Sequence, residues 1–213
     1  MNRILLVAFA FTAAVSAAAA PALAQVGKSQ GVVDANTVPE ADLATMPHMT
    51  AAVAKVIVAA RPFDSPVALH KLLLANGLTA AQAEAFYGKA FVHVNLNTAT
   101  AEEIMLIPGA GKRMAHEFDE YRPWKAWAQF DKEIGKYVDA KEVARLAQYA
   151  FIPLNLNTAT DAEILTIPGA GNRMLREFKE YRPWKTTAQF DKEIGKYVDA
   201  KEVRRLARYV TIP

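Results

Sequence analysis

A repeat with a period of 60 residues is the feature that most constrains how this chain of 213 residues can fold. Residues 94–153 align with residues 154–213 without a gap, and both copies contain NLNTAT, IPGAG, EYRPWK and AQFDKEIGKYVDAKEV. A more divergent copy, residues 34–93, precedes them, and its DANTVPEADLATMP corresponds to NLNTATAEEIMLIP. Because a repeat of this length is one supersecondary unit that buries its apolar face against its neighbours, the sequence predicts three tandem modules packed on one another. We call them modules one, two and three in chain order.

The N-terminal segment is typical of an exported protein. Residues 1–24 combine a basic start at Arg3, a long apolar stretch without charge, and an Ala-Leu-Ala sequence that ends at Ala24. This pattern predicts a signal peptide cleaved after Ala24, and therefore a periplasmic or secreted protein with no membrane span after cleavage. The alternative is an uncleaved membrane anchor, because the apolar stretch is nearly long enough to cross a bilayer. Residues 25–33 are expected to form a loose N-terminus.

Within a module the pattern is helical. In module two, Thr100 and Glu103 form the T-x-x-E signature of a capping box and open a short helix. Apolar spacing predicts a second helix over residues 112–121 and a third over residues 128–134, and Asp139 opens a fourth. Module three repeats all of these signals. Only brief extended segments are expected at the NLN sequences, so the predicted class is all-α.

The IPGAG sequence stands between the first two predicted helices of modules two and three. Two glycines around one alanine, such as Gly109 and Gly111, predict a tight turn in which the backbone reaches positive φ or allows close approach. The second helix would then begin with a row of outward-facing backbone amides, which is an anion site that suits phosphate. Lys112, Arg113 and Arg173 place cations beside it.

The pairing of N-x-N-T-A with P-G-x-G, followed by YRPW and KEV-x-RLA, resembles the helix-hairpin-helix module of ComEA-type competence DNA receptors. The resemblance covers modules two and three, about 120 residues. It implies non-sequence-specific binding of duplex DNA outside the inner membrane, with hairpin amides contacting phosphates and a possible role in DNA uptake beside other envelope proteins. Carried over by position, the contacts fall on Gly109, Ala110, Gly111, Lys112 and Arg113, and on Gly169, Ala170, Gly171, Asn172 and Arg173.

The chain departs from the family pattern in two places. The second glycine hairpin of the family is reduced to a single glycine at residues 134–137 and 194–197, so one phosphate site is expected in each of these two modules. In module one, residues 47–50 contain no glycine and Ala51-Ala52 replaces the basic pair. We therefore expect module one to have lost the loop and the phosphate site, and to have a capping or partner-binding role.

Charge is concentrated at the C-terminal end of the chain. The net charge is only +3, but module three has 11 basic against 8 acidic residues, whereas module two has 8 against 9. Relative to module two, module three gains positive charge at four positions: Arg176, Lys179, Arg204 and Arg208. The DNA-binding interpretation predicts that module three binds more strongly, and that one continuous basic stripe joins these four residues to Arg113 and Arg173.

Two other classes of function compete with DNA binding as interpretations of the sequence. An enzyme is not expected, because the chain has no cysteine and its four histidines show no metal-ligand spacing. In addition, no combination of catalytic side chains recurs in both module two and module three. Neither a metal nor another cofactor is expected. The main alternative is a non-catalytic envelope scaffold or protein-interaction protein that keeps the hairpins only as turns. That alternative predicts an exposed apolar patch on module one at Val53, Val56, Ile57 and Phe63.

Overall fold

The computed structural model describes residues 31–212, so the signal peptide predicted for residues 1–24 lies outside the described part. Module one contains β1 (Val33–Asp34), α1 (Glu40–Leu43), α2 (Ala51–Ala60), α3 (Pro66–Ala75), α4 (Ala80–Tyr87) and β2 (Ala90–Phe91). Module two contains β3 (Val94–Asn95), α5 (Ala101–Met105), α6 (Lys112–Glu120), α7 (Trp127–Ile134), α8 (Ala140–Leu146), a 3-10 turn (Ala147–Tyr149) and β4 (Ala150–Phe151). Module three contains β5 (Leu154–Asn155), α9 (Asp161–Ile164), α10 (Asn172–Glu180), α11 (Thr187–Ile194), α12 (Ala200–Ala207) and β6 (Val210–Thr211). The mostly helical class expected from the sequence is confirmed.

Each module is closed by a pair of very short parallel strands. Val33 pairs with Ala90 in module one, and the same pairing joins the first and last strands of the other two modules. The start and the end of each copy of the repeat therefore lie side by side. Because β1 includes Val33 and the preceding Val32 is buried, the expected loose terminus is wrong at these two residues. Strands of two residues are too short to show an alternating pattern, so only the NLN segments could be foreseen.

The second asparagine of the N-x-N-T-A sequence is a structural clamp. In module two, the Asn97 side chain donates to the Trp124 carbonyl at 3.0 Å and accepts from the Trp124 amide at 2.6 Å. Equivalent pairs of bonds join Asn36 to Phe63 and Asn157 to Trp184. This clamp ties the start of each module to the turn after its second helix. The Trp124 and Trp184 rings are buried in the module cores beside it.

Replacing Asn97 by alanine should lower the free energy of unfolding by about 2–3 kcal/mol, because two buried backbone groups of Trp124 lose their partner. Urea denaturation followed by far-UV circular dichroism would measure the loss. Asn172→Ala is the control, since the Asn172 side chain is exposed and has no hydrogen-bond partner among the described residues. Equal stability of the two variants would contradict the clamp.

The cores of modules one and two form one apolar cluster, while module three has its own. Phe91 of module one meets the edge of Tyr149 of module two, with ring centroids 5.3 Å apart. Phe151, at the end of module two, packs on Tyr209 of module three at 4.5 Å. The Tyr209 hydroxyl in turn donates to the buried Asp34 carboxylate of module one. Each module therefore contacts both of the others. We call the contact between modules one and three the seam.

The apolar patch that the scaffold interpretation predicted on module one is not present as a surface. Val53, Ile57 and Phe63 are buried in the core, and only Val56, at 37% exposure, reaches solvent. The prediction was wrong because Val53 and Ile57 lie on the buried face of α2, a helix that packs against α1 and α3. Within residues 31–212, the helices are all too short or too polar to cross a membrane.

Candidate nucleic-acid interface

The hairpins are the turns between the first two helices of each module, residues 46–52, 107–113 and 167–173. Gly109 and Gly169 have φ of 75° in the hairpins of modules two and three, which is the left-handed region that glycine enters without strain. His48 takes this conformation in module one, with φ of 59°. The expectation that module one had lost the loop is therefore wrong for the backbone: the turn is retained, although a histidine occupies its strained position.

The second glycine of each hairpin has a different role. Gly111 and Gly171 have φ of −86° and extended ψ, which any residue can adopt. A Cβ atom at either position would have no described atom within 4 Å. The fold itself thus gives no reason for glycine here. Thr50 holds the equivalent place in module one, where its hydroxyl accepts a hydrogen bond from the Val53 amide at 3.2 Å.

The helices that follow these glycines begin with uncapped amides. Neither Gly111 nor Gly171 supplies a side chain to cap α6 or α10. Among the described residues, none accepts a hydrogen bond from the amides of Lys112 and Arg113, or from those of Asn172 and Arg173. All six of these residues are exposed. Open amides at the positive end of a nine-residue helix, with open space before them, form a geometry that suits an anion.

The predicted site residues gather at these two helix starts. Of the five predicted contact residues in each hairpin, only the middle one, Ala110 or Ala170, is buried, where it holds the turn against the core. Arg176 is exposed on the helix α10. Lys179, on the same helix, lies 2.6 Å from the Asp161 carboxylate, and both side chains of that pair remain partly exposed. A surface pair of this kind contributes little energy, so Lys179 remains accessible to another anion.

The remaining two predicted cations lie at the seam. Arg204 is 3.3 Å from the Asp64 carboxylate and donates to the Pro62 carbonyl at 3.3 Å. Arg208 donates to the Phe63 carbonyl at 3.2 Å and to the His93 carbonyl at 3.0 Å. Their donors are directed at module one. Arg204 nevertheless remains as exposed as Lys179, so the expected continuous basic stripe is interrupted at Arg208, which is only partly exposed and holds modules one and three together.

A buried arginine beneath the hairpin of module three was not foreseen from the sequence. Arg205 is only 3% exposed; it donates to the Pro168 carbonyl at 2.6 Å and pairs with Glu202 at 2.6 Å. Burial alone would lower the pKa of Arg205, but the Glu202 carboxylate outweighs it and raises the pKa. A Cβ at Gly169 would lie 2.9 Å from Arg205 Nη2, so this glycine is required by close approach as well as by φ. An arginine in a KEV-x-R-L helix gives no sequence signal of burial.

In modules two and three, the turn between the third and fourth helices does not leave the start of the following helix uncapped. Asp139 caps α8, where its carboxylate accepts from the Glu142 amide at 2.8 Å, and Asp199 caps α12 in the same way. A negative side chain thus occupies the helix start where a phosphate would have to bind. This favours the expectation of one phosphate site in each of modules two and three.

Comparisons with protein-family models, with curated proteins and with solved structures gave no match for this chain. The functional interpretation therefore depends on the geometry of the hairpins and on the resemblance of their sequence.

Proposed function

We propose that modules two and three are helix-hairpin-helix units that bind the phosphate backbone of duplex DNA without sequence preference. The observation that carries the proposal is the pair of glycine-started helices, α6 and α10, in which no side chain caps the first turn, whereas Thr50 caps the equivalent helix of module one. Glycine at this position stabilises the helix less than the threonine found in module one, and the space before it is empty. A ligand that approaches the backbone closely explains this choice.

Phosphate fits the site better than other anions of a macromolecule. Each hairpin offers several backbone donors together with an adjacent arginine, which matches the several acceptor oxygens of a phosphodiester. Contacts of this kind position a protein on DNA but carry no sequence information. Two such sites on one chain strengthen each other, because binding of the first makes the second intramolecular.

The proposed contacts are the hairpin residues together with Arg176 and Lys179. Module three is the stronger half in this proposal, because His116 and Asp119 of module two occupy the places of Arg176 and Lys179. Arg208 is assigned to the seam instead, and Arg204 contacts the seam while its side chain remains exposed to solvent. On the basis of the predicted signal peptide, we further propose that the protein acts in the periplasm or after secretion, where DNA uptake is one use of such binding.

Fluorescence anisotropy with a labelled duplex of about 30 base pairs tests the proposal through its salt dependence. Neutralising about three to five phosphates predicts that affinity falls about 40- to 500-fold between 50 and 200 mM salt. Two duplexes of unrelated sequence should bind equally. Absence of binding at the lowest salt, or a strong preference for one duplex, would overturn the proposal. The scaffold alternative would then lead, although the patch that it predicted is buried.

A further inference from the structure

A cluster of two tyrosines, two cations and a buried glutamate lies beside each of the two glycine-started helices. We call it the tyrosine platform; it comprises Arg113, Glu117, Tyr121, Lys136 and Tyr137 in module two, and Arg173, Glu177, Tyr181, Lys196 and Tyr197 in module three. The two tyrosine hydroxyls of each platform are hydrogen-bonded to each other, at 2.8 Å in module two and 2.9 Å in module three. The rings are thereby fixed relative to α6 and α10.

Each ring carries a cation on its face. The Arg113 guanidinium carbon lies 5.1 Å from the centroid of the Tyr137 ring, and Lys136 Nζ lies 5.0 Å from that of Tyr121. In module three the corresponding distances are 5.4 Å and 5.2 Å. A cation–π contact uses the face of the guanidinium, so its N–H edges stay free for an anion.

The position of these arginines is unfavourable without the ring. Arg113 and Arg173 stand in the first turn of their helices, where the helix dipole opposes a cation. In the part of the chain that the structure describes, no carboxylate forms an ion pair with either one. Among the described residues, the ring contact is therefore the attraction that holds each guanidinium in place.

A buried glutamate lies near each pair of rings. Glu117 and Glu177 are only 6% and 8% exposed, and Oε2 of each has no hydrogen-bond partner among the described residues. The hydrogen bond with Tyr121 is the largest cause that raises the pKa of Tyr137, and the negative charge of Glu117 raises this pKa further. The Tyr137 phenol therefore stays neutral, and its ring keeps the face on which Arg113 lies.

Module one lacks both the platform and the glycine that starts the second helix. Ala52, Val56 and Ala60 stand at the places of Arg113, Glu117 and Tyr121 in the alignment of the copies. In the same module the Thr50 side chain caps the second helix. The platform therefore accompanies the glycine-started helix within this chain.

From this arrangement we infer that Tyr137 and Tyr197 are positioning residues, which hold Arg113 and Arg173 in place to bind DNA phosphate beside the hairpin amides. The inference rests on the proposed function. It makes the reduced second turn of each module, residues 134–137 and 194–197, part of the interface, as the support of the arginine rather than as a second phosphate site.

A double-mutant cycle on the full protein tests the inference by duplex anisotropy at low salt. The pair Tyr137→Leu and Tyr197→Leu should weaken binding about fivefold or more, since two cation–π contacts are lost. In a background of Arg113→Ala and Arg173→Ala, the same pair should change the affinity less than about twofold, because the tyrosines act through the arginines. Tyrosine-to-phenylalanine variants retain the ring and should restore most of the binding.

The outcomes separate this inference from the proposed function. If the unaltered protein binds the duplex and the affinity losses of the tyrosine-to-leucine and arginine-to-alanine pairs simply add, the positioning role is overturned and the proposed function stands. Normal duplex binding by the tyrosine-to-leucine double variant would lead to the same conclusion. No binding by the unaltered protein would overturn both. Circular dichroism checks that each variant is folded, and Lys55→Ala on the capped helix α2 controls for the loss of a charge outside the site.

Discussion

Replacing Gly111 and Gly171 by threonine should weaken duplex binding at least about tenfold, while the stability of the protein stays the same or rises by a few tenths of a kcal/mol. Threonine is the residue that module one uses at this place, so each substitution copies a turn that the chain already forms. Its hydroxyl would accept from a first-turn amide, and its methyl group would fill the space before the helix. Both changes exclude a phosphate without disturbing any described neighbour.

Anisotropy titration of this double variant, with urea denaturation in parallel, separates binding from folding. Thr50→Gly in module one is the matched control: it removes a cap, should cost a few tenths of a kcal/mol, and should not weaken DNA binding. A destabilising substitution at a binding site usually lowers both the affinity and the stability. In the threonine double variant the DNA affinity should fall, whereas the free energy of unfolding should stay the same or rise. Unchanged affinity in the threonine variant would show that the hairpin amides are not the contact.

The local structure of the modules was predictable because its signals are local. Thr100 and Glu103 form the capping box that the T-x-x-E signature predicts, with both reciprocal hydrogen bonds, and so do Thr160 and Glu163. The helix predicted over residues 112–121 begins at Lys112 and ends at Glu120. Hydroxyl and carboxylate caps act over three residues, so one stretch of sequence contains the whole cause.

Contacts between modules could not be predicted in the same way. Arg204 and Arg208 stand on a charged helix face, and nothing near them in the sequence shows that Pro62, Phe63 and His93 accept their hydrogen bonds. Interpreted from charge alone, both residues belonged to the DNA surface. The partner of a surface arginine depends on how the modules pack, and that depends on long-range contacts such as the one between Asp34 and Tyr209.

The candidate site likewise has one part with a local sequence signal and another part that depends on long-range packing. The glycine pair and the adjacent basic residues are contiguous, and the sequence placed them at the start of a helix. The tyrosine platform joins residues 16 positions apart, Tyr121 and Tyr137, and Tyr137 comes from the second hairpin, which is reduced to a single glycine. Two helices must be packed before a ring and a guanidinium become neighbours, so the platform required the structure.

Acid should destabilise the seam through Asp34. Burial alone would raise the pKa of this carboxyl, but its contacts with His93, Tyr209 and the Asn36 amide outweigh burial and lower the pKa from 3.8 to about 2. A carboxyl whose pKa is lower in the folded state stabilises the protein above its unfolded pKa, and this stability is lost as the pH falls from 3.8 towards 2. The shift corresponds to about 2 kcal/mol.

The substitution Asp34→Asn isolates this contribution, because asparagine occupies the equivalent places in modules two and three at Asn95 and Asn155. We expect the stability difference between the unaltered protein and the variant to shrink by about 2 kcal/mol between pH 6 and pH 2, since titration of all other carboxyls cancels in the comparison. Urea unfolding at each pH measures it. A difference that does not change with pH would contradict the prediction. Tyr209→Phe should also reduce the pH-dependent part, because it removes one donor from the carboxylate and leaves the charge in place; a seam held by apolar packing alone would show no such loss.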